Sequence, residues 1–205
     1  MKNIFDITIA VLVIPLLLII FPVIYICILF IDGRPSVYKQ ERVGKNGKVF
    51  ILYKFRTMDH GSDENLHQKH YESLSKEQSV EPSLKPGNPI RIENDDRITK
   101  IGKVLRKTSL DELPNLFNVL LGQMSIVGPR PLVKYEASLL GEYQKERHSV
   151  KPGITGLAQT QGRLDLSLQE RLYWDLEYVN KYNLILDMKI ILQTIMSVIS
   201  RKGAN

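Results

Sequence analysis

The sequence predicts a mainly α-helical protein with a minor β-hairpin, in which a membrane-embedded amino-terminal helix precedes a helical domain. Three observations lead to this fold class. Residues 7–31 contain no charged side chain. Residues 49–56 form a short run rich in β-favouring side chains behind a glycine turn. The later segments have helical apolar periodicity and no β–α–β alternation. We therefore divide the chain into a membrane helix, residues 1–32, and a membrane-associated domain, residues 33–205.

The apolar segment is long enough to cross a hydrocarbon core of about 30 Å. Pro15 and Pro22 interrupt it, and proline kinks or breaks a helix. A straight helix would span the bilayer, whereas a helix broken near either proline would enter and return on the same face. The pattern leaves both topologies open. Basic residues are dense between positions 34 and 56, so the positive-inside rule places the downstream domain in the cytoplasm.

Further elements follow in order along the chain. Residues 36–44 and 49–56 are predicted as two strands joined by a tight turn at 45–48. Residues 59–96 are polar, and we expect a surface excursion with one short helix near 65–74. Amphipathic patterns predict helices at 132–147 and 168–182. The apolar segment 184–199 contains Asp187 and Lys189 and is short for a span, so an interfacial or core helix is expected.

The charge balance limits the classes of molecule that the protein is expected to bind. The formal net charge is +6 and the isoelectric point about 9.3, which suits nucleic acid, anionic lipid or a phosphorylated substrate. The single cysteine, Cys27, lies in the apolar segment, which excludes a disulfide framework and Cys/His zinc spacing. No Walker loop, GxGxxG motif or nucleic-acid module is present in the sequence. Lipid and phosphorylated substrate are therefore favoured over nucleic acid.

Asp111 and Glu112 form an adjacent acid pair, and a rigid VGPRP turn at 127–131 places Arg130 between two prolines. An acid pair beside an arginine suits phosphate chemistry, because one carboxylate can attack, the other can hold a divalent metal and the arginine can bind phosphate oxygens.

The acid pair also allows a structural interpretation. Ser109 and Glu112 have the spacing of a capping box at a helix start. Pro114 fits better when the helix starts at Asp111, since proline is tolerated in the first turn. In both cases the carboxylates lie at the positive end of the helix dipole, which favours their ionised forms.

Other basic side chains could also take part in phosphate chemistry. They are Lys54 and Arg56 on the second predicted strand, Arg106 shortly before the acid pair, and Arg163 after a Gln-Gly turn. A surface or membrane-facing role is the alternative for each of them. Arg130 stands apart, because its flanking prolines fix the direction of its backbone.

Seven motifs together resemble the bacterial sugar transferases, the monotopic polyprenyl-phosphate phosphoglycosyl transferases. In the order of that family they are YKQERVG at 38–44, YKFRTM at 53–58, DRIT at 96–99, LRKTSLDELP at 105–114, VGPRP at 127–131, KPGITG at 151–156 and QGR at 161–163. The resemblance covers nearly the whole chain and implies the minimal catalytic form. The sequence departs from the family in two places. Its prolines do not stand at the usual Ser-Pro break of a re-entrant helix, and Leu157 replaces the usual tryptophan.

The resemblance implies an enzyme that transfers a sugar-1-phosphate from a UDP-sugar to undecaprenyl phosphate and releases UMP. It implies Asp111 as the nucleophile of a covalent phosphosugar intermediate and Glu112 as the holder of Mg²⁺. Phosphate and nucleotide binding would fall to five basic residues, Lys54, Arg56, Arg106, Arg130 and Arg163. The expected location is the bacterial cytoplasmic membrane, with a re-entrant helix and the catalytic domain on the cytoplasmic face. The expected role is the start of capsule, exopolysaccharide or glycoconjugate assembly.

A second hypothesis from another class is a non-catalytic basic module that binds the membrane surface. The adjacent carboxylates of Asp111 and Glu112 argue against it, because a scaffold does not need two acids in a cationic site. A helical nucleic-acid binder is disfavoured by the apolar segment. The sequence allows a homo-oligomer without specifying one, and it specifies neither the sugar nor the glycan.

Overall fold

The computed structural model describes residues 2–61, 64–77, 80–90, 92, 95–162 and 165–200. The described chain is mostly helical and contains a two-stranded antiparallel sheet, which confirms the predicted fold class. A second, parallel pair of strands is also present. Its elements are α1 Lys2–Ile31, β1 Val37–Val43, β2 Val49–Phe55, α2 Glu64–Glu77, α3 Lys100–Thr108, α4 Asn115–Leu120, β3 Ser125–Val127, α5 Lys134–Ser138, α6 Tyr143–Arg147, β4 Gly153–Thr155, α7 Leu157–Gln161, α8 Leu168–Lys181 and α9 Leu184–Ser200.

The predicted hairpin is confirmed. β1 and β2 pair antiparallel, with Val37 opposite Phe55, and the connecting turn uses the left-handed backbone of Asn46 and Gly47. Side chains alternate across a strand, so Lys54 continues the inward face that Phe50 and Leu52 bury. The hairpin therefore directs a lysine into the protein.

Asn118 fixes the hairpin to α4. Its Oδ1 accepts a hydrogen bond from the Tyr53 backbone N–H at 3.3 Å, and its Nδ2 donates to the Ile51 carbonyl at 2.7 Å. Nδ2 also donates to Gln123 Oε1 at 2.7 Å. Asn118 is fully buried, so all of these bonds are shielded from water. The Asn118 amide therefore fixes the position of β2, and hence of Lys54, relative to α4.

Helix α1 packs against the rest of the protein along one face. Asp6, Ala10, Leu17, Ile24 and Ile28 are buried, at helical spacings of four and seven, and the helix contains both prolines. The helix is long and apolar enough to cross a membrane, with a mean hydropathy of 3.1, and only 17% of that window is buried. One stripe of the helix therefore joins the core while most of its surface is apolar and exposed.

Both ends of α1 contact the same globular body. Near its start, Asp6 Oδ1 accepts from Ser125 Oγ at 2.9 Å and from the Ile126 N–H at 3.1 Å. Near its end, the Tyr25 carbonyl accepts from Ser36 Oγ at 3.0 Å. The expectation for segment 184–199 is met by α9, which buries Asp187 and Ile190 and exposes large apolar side chains on its other side.

Two local expectations were wrong, and one strand pairing was missed. Ser109 does not form a capping box, because it ends α3 in a left-handed conformation and makes no side-chain cap. Residues 132–147 do not form one helix, since Gly141, with φ of +54°, separates α5 from α6. The parallel pairing of β3 with β4 was not predicted, because three-residue strands have no periodicity to detect. The short helix near 65–74 is confirmed as the longer α2.

Candidate active site

The acid pair lies on a tight turn between α3 and α4. Ser109, with φ of 57°, reverses the chain at the end of α3, and Leu110–Glu112 form one 3₁₀ turn. Pro114 follows and lacks an N–H, which suits the position before α4 because no helical bond is needed there. This sequence of constraints presents Asp111 and Glu112 side by side at the edge of the hairpin.

Lys54 and Arg130 meet on one oxygen of Glu112. Lys54 Nζ donates to Glu112 Oε1 at 2.8 Å, and Arg130 Nη1 donates to the same atom at 3.0 Å. Burial on its own would raise the pKa of Glu112, but the charges and hydrogen bonds of Lys54 and Arg130 outweigh it and lower the pKa to about 2. Glu112 is therefore ionised over the whole physiological range, with Oε2 remaining for another ligand.

Asp111 is in a different state. Its side chain is 9% exposed, and it forms no hydrogen bond or ion pair within the described part of the chain. Burial raises the pKa of Asp111, and the neighbouring charge of Glu112 adds to the effect, whereas Lys54, Arg106 and Arg130 oppose it. A carboxylate without hydrogen-bond donors keeps its lone pairs available for attack. The two acids thus differ as a nucleophile and a charge-holding ligand should differ.

Arg106 and Arg56 are placed by their hydrogen bonds. Arg106 Nε donates to Thr57 Oγ1 at 2.9 Å, and the Arg106 charge acts on Asp111. Arg56 is buried, and its Nη2 donates to the carbonyls of Asp32 and Gly33 at 2.6 and 2.7 Å. Arg56 therefore ties the hairpin to the end of α1. Arg163 lies outside the described residues.

One buried arginine, Arg147, and one half-buried arginine, Arg42, hold the turn that carries Arg130. Arg147 Nη2 donates to the Arg130 carbonyl at 2.8 Å, and Arg42 Nη1 donates to the Pro131 carbonyl at 3.0 Å. Each has an acidic partner. Arg147 pairs with Asp175 at 2.7 Å, and Arg42 lies 3.7 Å from Glu136. We call these four residues the turn clamp; the sequence analysis missed them, because burial of a charged residue leaves no mark in the sequence pattern.

A pocket opens beside the acid pair. Its lining comes from the hairpin, the turn that carries Glu112, α4, the turn that carries Arg130 and the start of β4. The lining residues are Arg42, Leu52, Lys54, Glu112, Asn115, Arg130, Pro131, Gly153 and Ile154. The backbones of β4 and of the turn after β3 touch, since a Cβ on Gly153 would lie 2.1 Å from the Gly128 nitrogen. Glycine at position 153 lets these two segments meet beside the pocket. The pocket is cationic around one ionised carboxylate, which is suited to a phosphate ester.

The acidic side chains of the site decide which kind of magnesium ion it could hold. No group of three or more His, Cys, Asp or Glu side chains comes together in the described ranges. Magnesium nevertheless needs only one or two carboxylates when substrate phosphates and water complete its octahedron. Glu112 is ionised and has one oxygen without a protein partner, so it fits such a substrate-bridged ion and does not fit a closed protein cage.

Large apolar side chains are exposed around the same body. α1 contributes more of them than any other element, and α9 adds Ile185, which is 81% exposed, with Met188, Leu192, Ile195 and Met196. α4 adds Phe117, and Leu121 follows directly after that helix. An apolar surface of this extent marks an interaction with lipid or protein.

Comparison with known proteins identifies the family. The bacterial sugar transferase family pattern matches residues 1–201, and the chain belongs to this family of enzymes. It is 42% identical over 174 residues to the galactosyl transferase CpsE of Streptococcus agalactiae, covering 84% of this chain and 36% of that protein. Similar figures, 42% over 173 residues with coverages of 84% and 35%, relate it to the undecaprenyl-phosphate galactose phosphotransferase of Salmonella typhimurium.

The chain thus spans about a third of the length of these two curated relatives. It covers more of a shorter relative, the exopolysaccharide production protein ExoY of Sinorhizobium fredii. There the identity is 36% over 203 residues, which is 99% of this chain and 87% of that protein.

Proposed function

We propose that the protein transfers a sugar-1-phosphate from a UDP-sugar to undecaprenyl phosphate, releasing UMP, through a covalent intermediate on Asp111. The observation that carries the proposal is the pairing of a buried, unpaired Asp111 with an ionised Glu112 that Lys54 and Arg130 hold. The names of relatives that act with undecaprenyl phosphate support the acceptor.

The reaction has two displacements at one phosphorus atom. In the first, an Asp111 carboxylate oxygen attacks the sugar-bearing phosphorus, and the bond from that phosphorus to the bridging oxygen breaks, so UMP leaves with the electron pair. In the second, a phosphate oxygen of undecaprenyl phosphate attacks the same phosphorus. The acyl-phosphate bond breaks, Asp111 regains its carboxylate, and the lipid carries the sugar diphosphate.

The neighbouring side chains make the attack between anions feasible. Lys54, Arg106 and Arg130 supply the positive charge that an attacking carboxylate and a diphosphate require of their surroundings. Glu112 Oε2 would hold Mg²⁺, which when bound neutralises the diphosphate and the departing UMP. Because Glu112 is already ionised, it would bind the cation without first losing a proton.

The membrane topology we propose is re-entrant, with both ends of α1 on the cytoplasmic face of the bacterial cytoplasmic membrane. Asp6 bonds to β3 and Tyr25 to the residue before β1, so a single body contacts both halves of the helix. A helix that carried its start to the far face would break the contact of Asp6. The exposed apolar sides of α1, α4 and α9 would face lipid, which keeps Asp111 near the depth of the acceptor's phosphate.

A UDP-sugar panel tests the proposal. The protein in nanodiscs, with undecaprenyl phosphate and Mg²⁺, would be offered UDP-galactose, UDP-glucose and their N-acetylated forms, and UMP would be measured. We expect UMP release with at least one donor and none from Asp111→Asn, which preserves size while removing the nucleophile. A folded Asp111→Asn protein that still releases UMP would remove Asp111 from this role. Absence of UMP from every donor would favour the non-catalytic membrane-surface module instead.

A further inference from the structure

Two asparagines on α4 differ in how the fold uses them. Asn118 is fully buried, and both atoms of its amide are bonded within the protein. Asn115 is only 2% exposed, yet its Oδ1 is sealed from solvent without any donor. Its Nδ2 has no hydrogen bond within the described residues either. The fold therefore buries the Asn115 amide without using it.

An unused buried amide has a thermodynamic cost. Leaving a buried polar group without a partner destabilises a protein by roughly 1–3 kcal/mol, so such groups are rare and call for a reason outside the fold. Leucine has a similar size and would remove the cost. The Nδ2 donor of this amide, which is not sealed, can serve a partner that lies outside the folded chain itself.

The position of Asn115 indicates the partner. It lines the candidate active-site pocket together with Lys54, Glu112 and Arg130. Oδ1 is sealed and Nδ2 is not, so Nδ2 is the amide atom that a molecule in this pocket could reach. An N–H donor beside two cationic donors is suited to an oxygen-rich anion, and a neutral amide adds a contact without adding charge that would compete with Lys54 and Arg130 for Glu112.

We propose that Nδ2 of Asn115 donates a hydrogen bond to a diphosphate oxygen of the nucleotide-sugar donor. This inference rests on the proposed function, because it takes the donor class from it. It makes Asn115 a substrate-binding residue of this pocket and assigns Asn118, three residues later, a purely structural role.

The matched substitutions Asn115→Leu and Asn118→Leu test the assignment. Thermal unfolding in nanodiscs and calorimetric titration with UDP in Mg²⁺ would be measured for each. We expect Asn115→Leu to unfold at or above the wild-type temperature and to bind UDP about tenfold more weakly, a loss of one hydrogen bond to a charged group. We expect Asn118→Leu to unfold at least 5 °C lower, because it leaves the Ile51 carbonyl and Tyr53 N–H unpaired.

Opposite signs in stability and binding are the signature of a ligand-binding amide. Wild-type UDP affinity in both Asn115→Leu and Asn115→Ala would overturn the inference, as would a fall in unfolding temperature for Asn115→Leu equal to that of Asn118→Leu. These failures are separate from failure of the proposed function, which would be seen as UMP release by Asp111→Asn or as no UDP binding by the wild-type protein.

Discussion

Lys54 Nζ and Glu112 Oε1 lie 2.8 Å apart, so the charge that stabilises Glu112 also lies beside Asp111. Burial lowers the pKa of Lys54, and the attraction of Glu112 opposes that shift. One lysine thereby acts on both acids. Its removal should affect the protonation of Asp111 and the ionic state of Glu112 together.

The acid limb of the pH–rate profile should report the ionisation of the Asp111 carboxyl group. A carboxylate must be ionised to attack, and burial raises the pKa of Asp111, so activity should fall as pH drops through a value above that of an ordinary carboxyl, about 4. Glu112, with a pKa of about 2, should not contribute. The UMP burst without acceptor is the measurement, because it avoids the titration of undecaprenyl phosphate. An acid limb at or below pH 4 would contradict this assignment.

Lys54→Met should move that limb to higher pH. The substitution removes a positive charge that lowers the pKa of Asp111, so the limb should move upward in pH, with a large loss of rate. Lys54→Arg keeps the charge and serves as the control, with its limb near the wild-type position. Equal limbs for Lys54→Met and the wild type would show that Lys54 does not act on the nucleophile.

Glu112→Gln should weaken the dependence on Mg²⁺. The amide keeps an oxygen but loses the charge that attracts the cation, so half-maximal activity should need at least tenfold more Mg²⁺, with lower maximal activity. Chelation with EDTA should stop the wild-type enzyme, and added Mg²⁺ should restore it. Full activity in EDTA would rule out the metal role, and an unchanged Mg²⁺ curve for Glu112→Gln would assign the ion to other ligands.

Arg147→Lys should loosen the turn that carries Arg130. A lysine can pair with Asp175 but lacks the planar fork that reaches the Arg130 carbonyl at the same time. We expect kcat to fall about tenfold, a modest fall in thermal stability and little change in the KM for the acceptor. Lys134→Met is the control, because it removes an exposed pair with Glu41 and should leave both quantities unchanged. A wild-type kcat in Arg147→Lys would leave the turn clamp without a part in turnover.

The proposed topology predicts from which side of the membrane the start of α1 can be labelled. In a Cys27→Ala background, the substitutions Asn3→Cys and Lys45→Cys would each introduce a single thiol. Each thiol should resist a membrane-impermeant reagent in intact cells and react with it in inverted vesicles. Both positions are exposed, so access is limited only by the bilayer. Labelling of position 3 but not of position 45 from outside would establish a spanning helix.

The sequence was sufficient for the hairpin and the apolar helix, because periodicity and glycine turns encode local structure. The grouping of Lys54, Arg106 and Arg130 around the acid pair was expected only from the resemblance to the family motifs. It was not sufficient for the turn clamp or for the connecting role of Arg56, which depend on contacts between residues far apart in the chain. Asn115 and Asn118 are indistinguishable in the sequence, since both follow the acid pair on one short helix. Only the positions of their partners separate them.

The contact between α1 and the late elements has a consequence for biosynthesis. Asp6 bonds to Ser125, 119 residues later, and Lys2 bonds to the buried Asp187, 185 residues later. The ribosome therefore makes the apolar helix long before its polar partners exist. Until they are made, Lys2 and Asp6 must remain hydrated at the lipid headgroups. The packing of α1 against β3 and α9 can therefore be completed only after nearly the whole chain has been made.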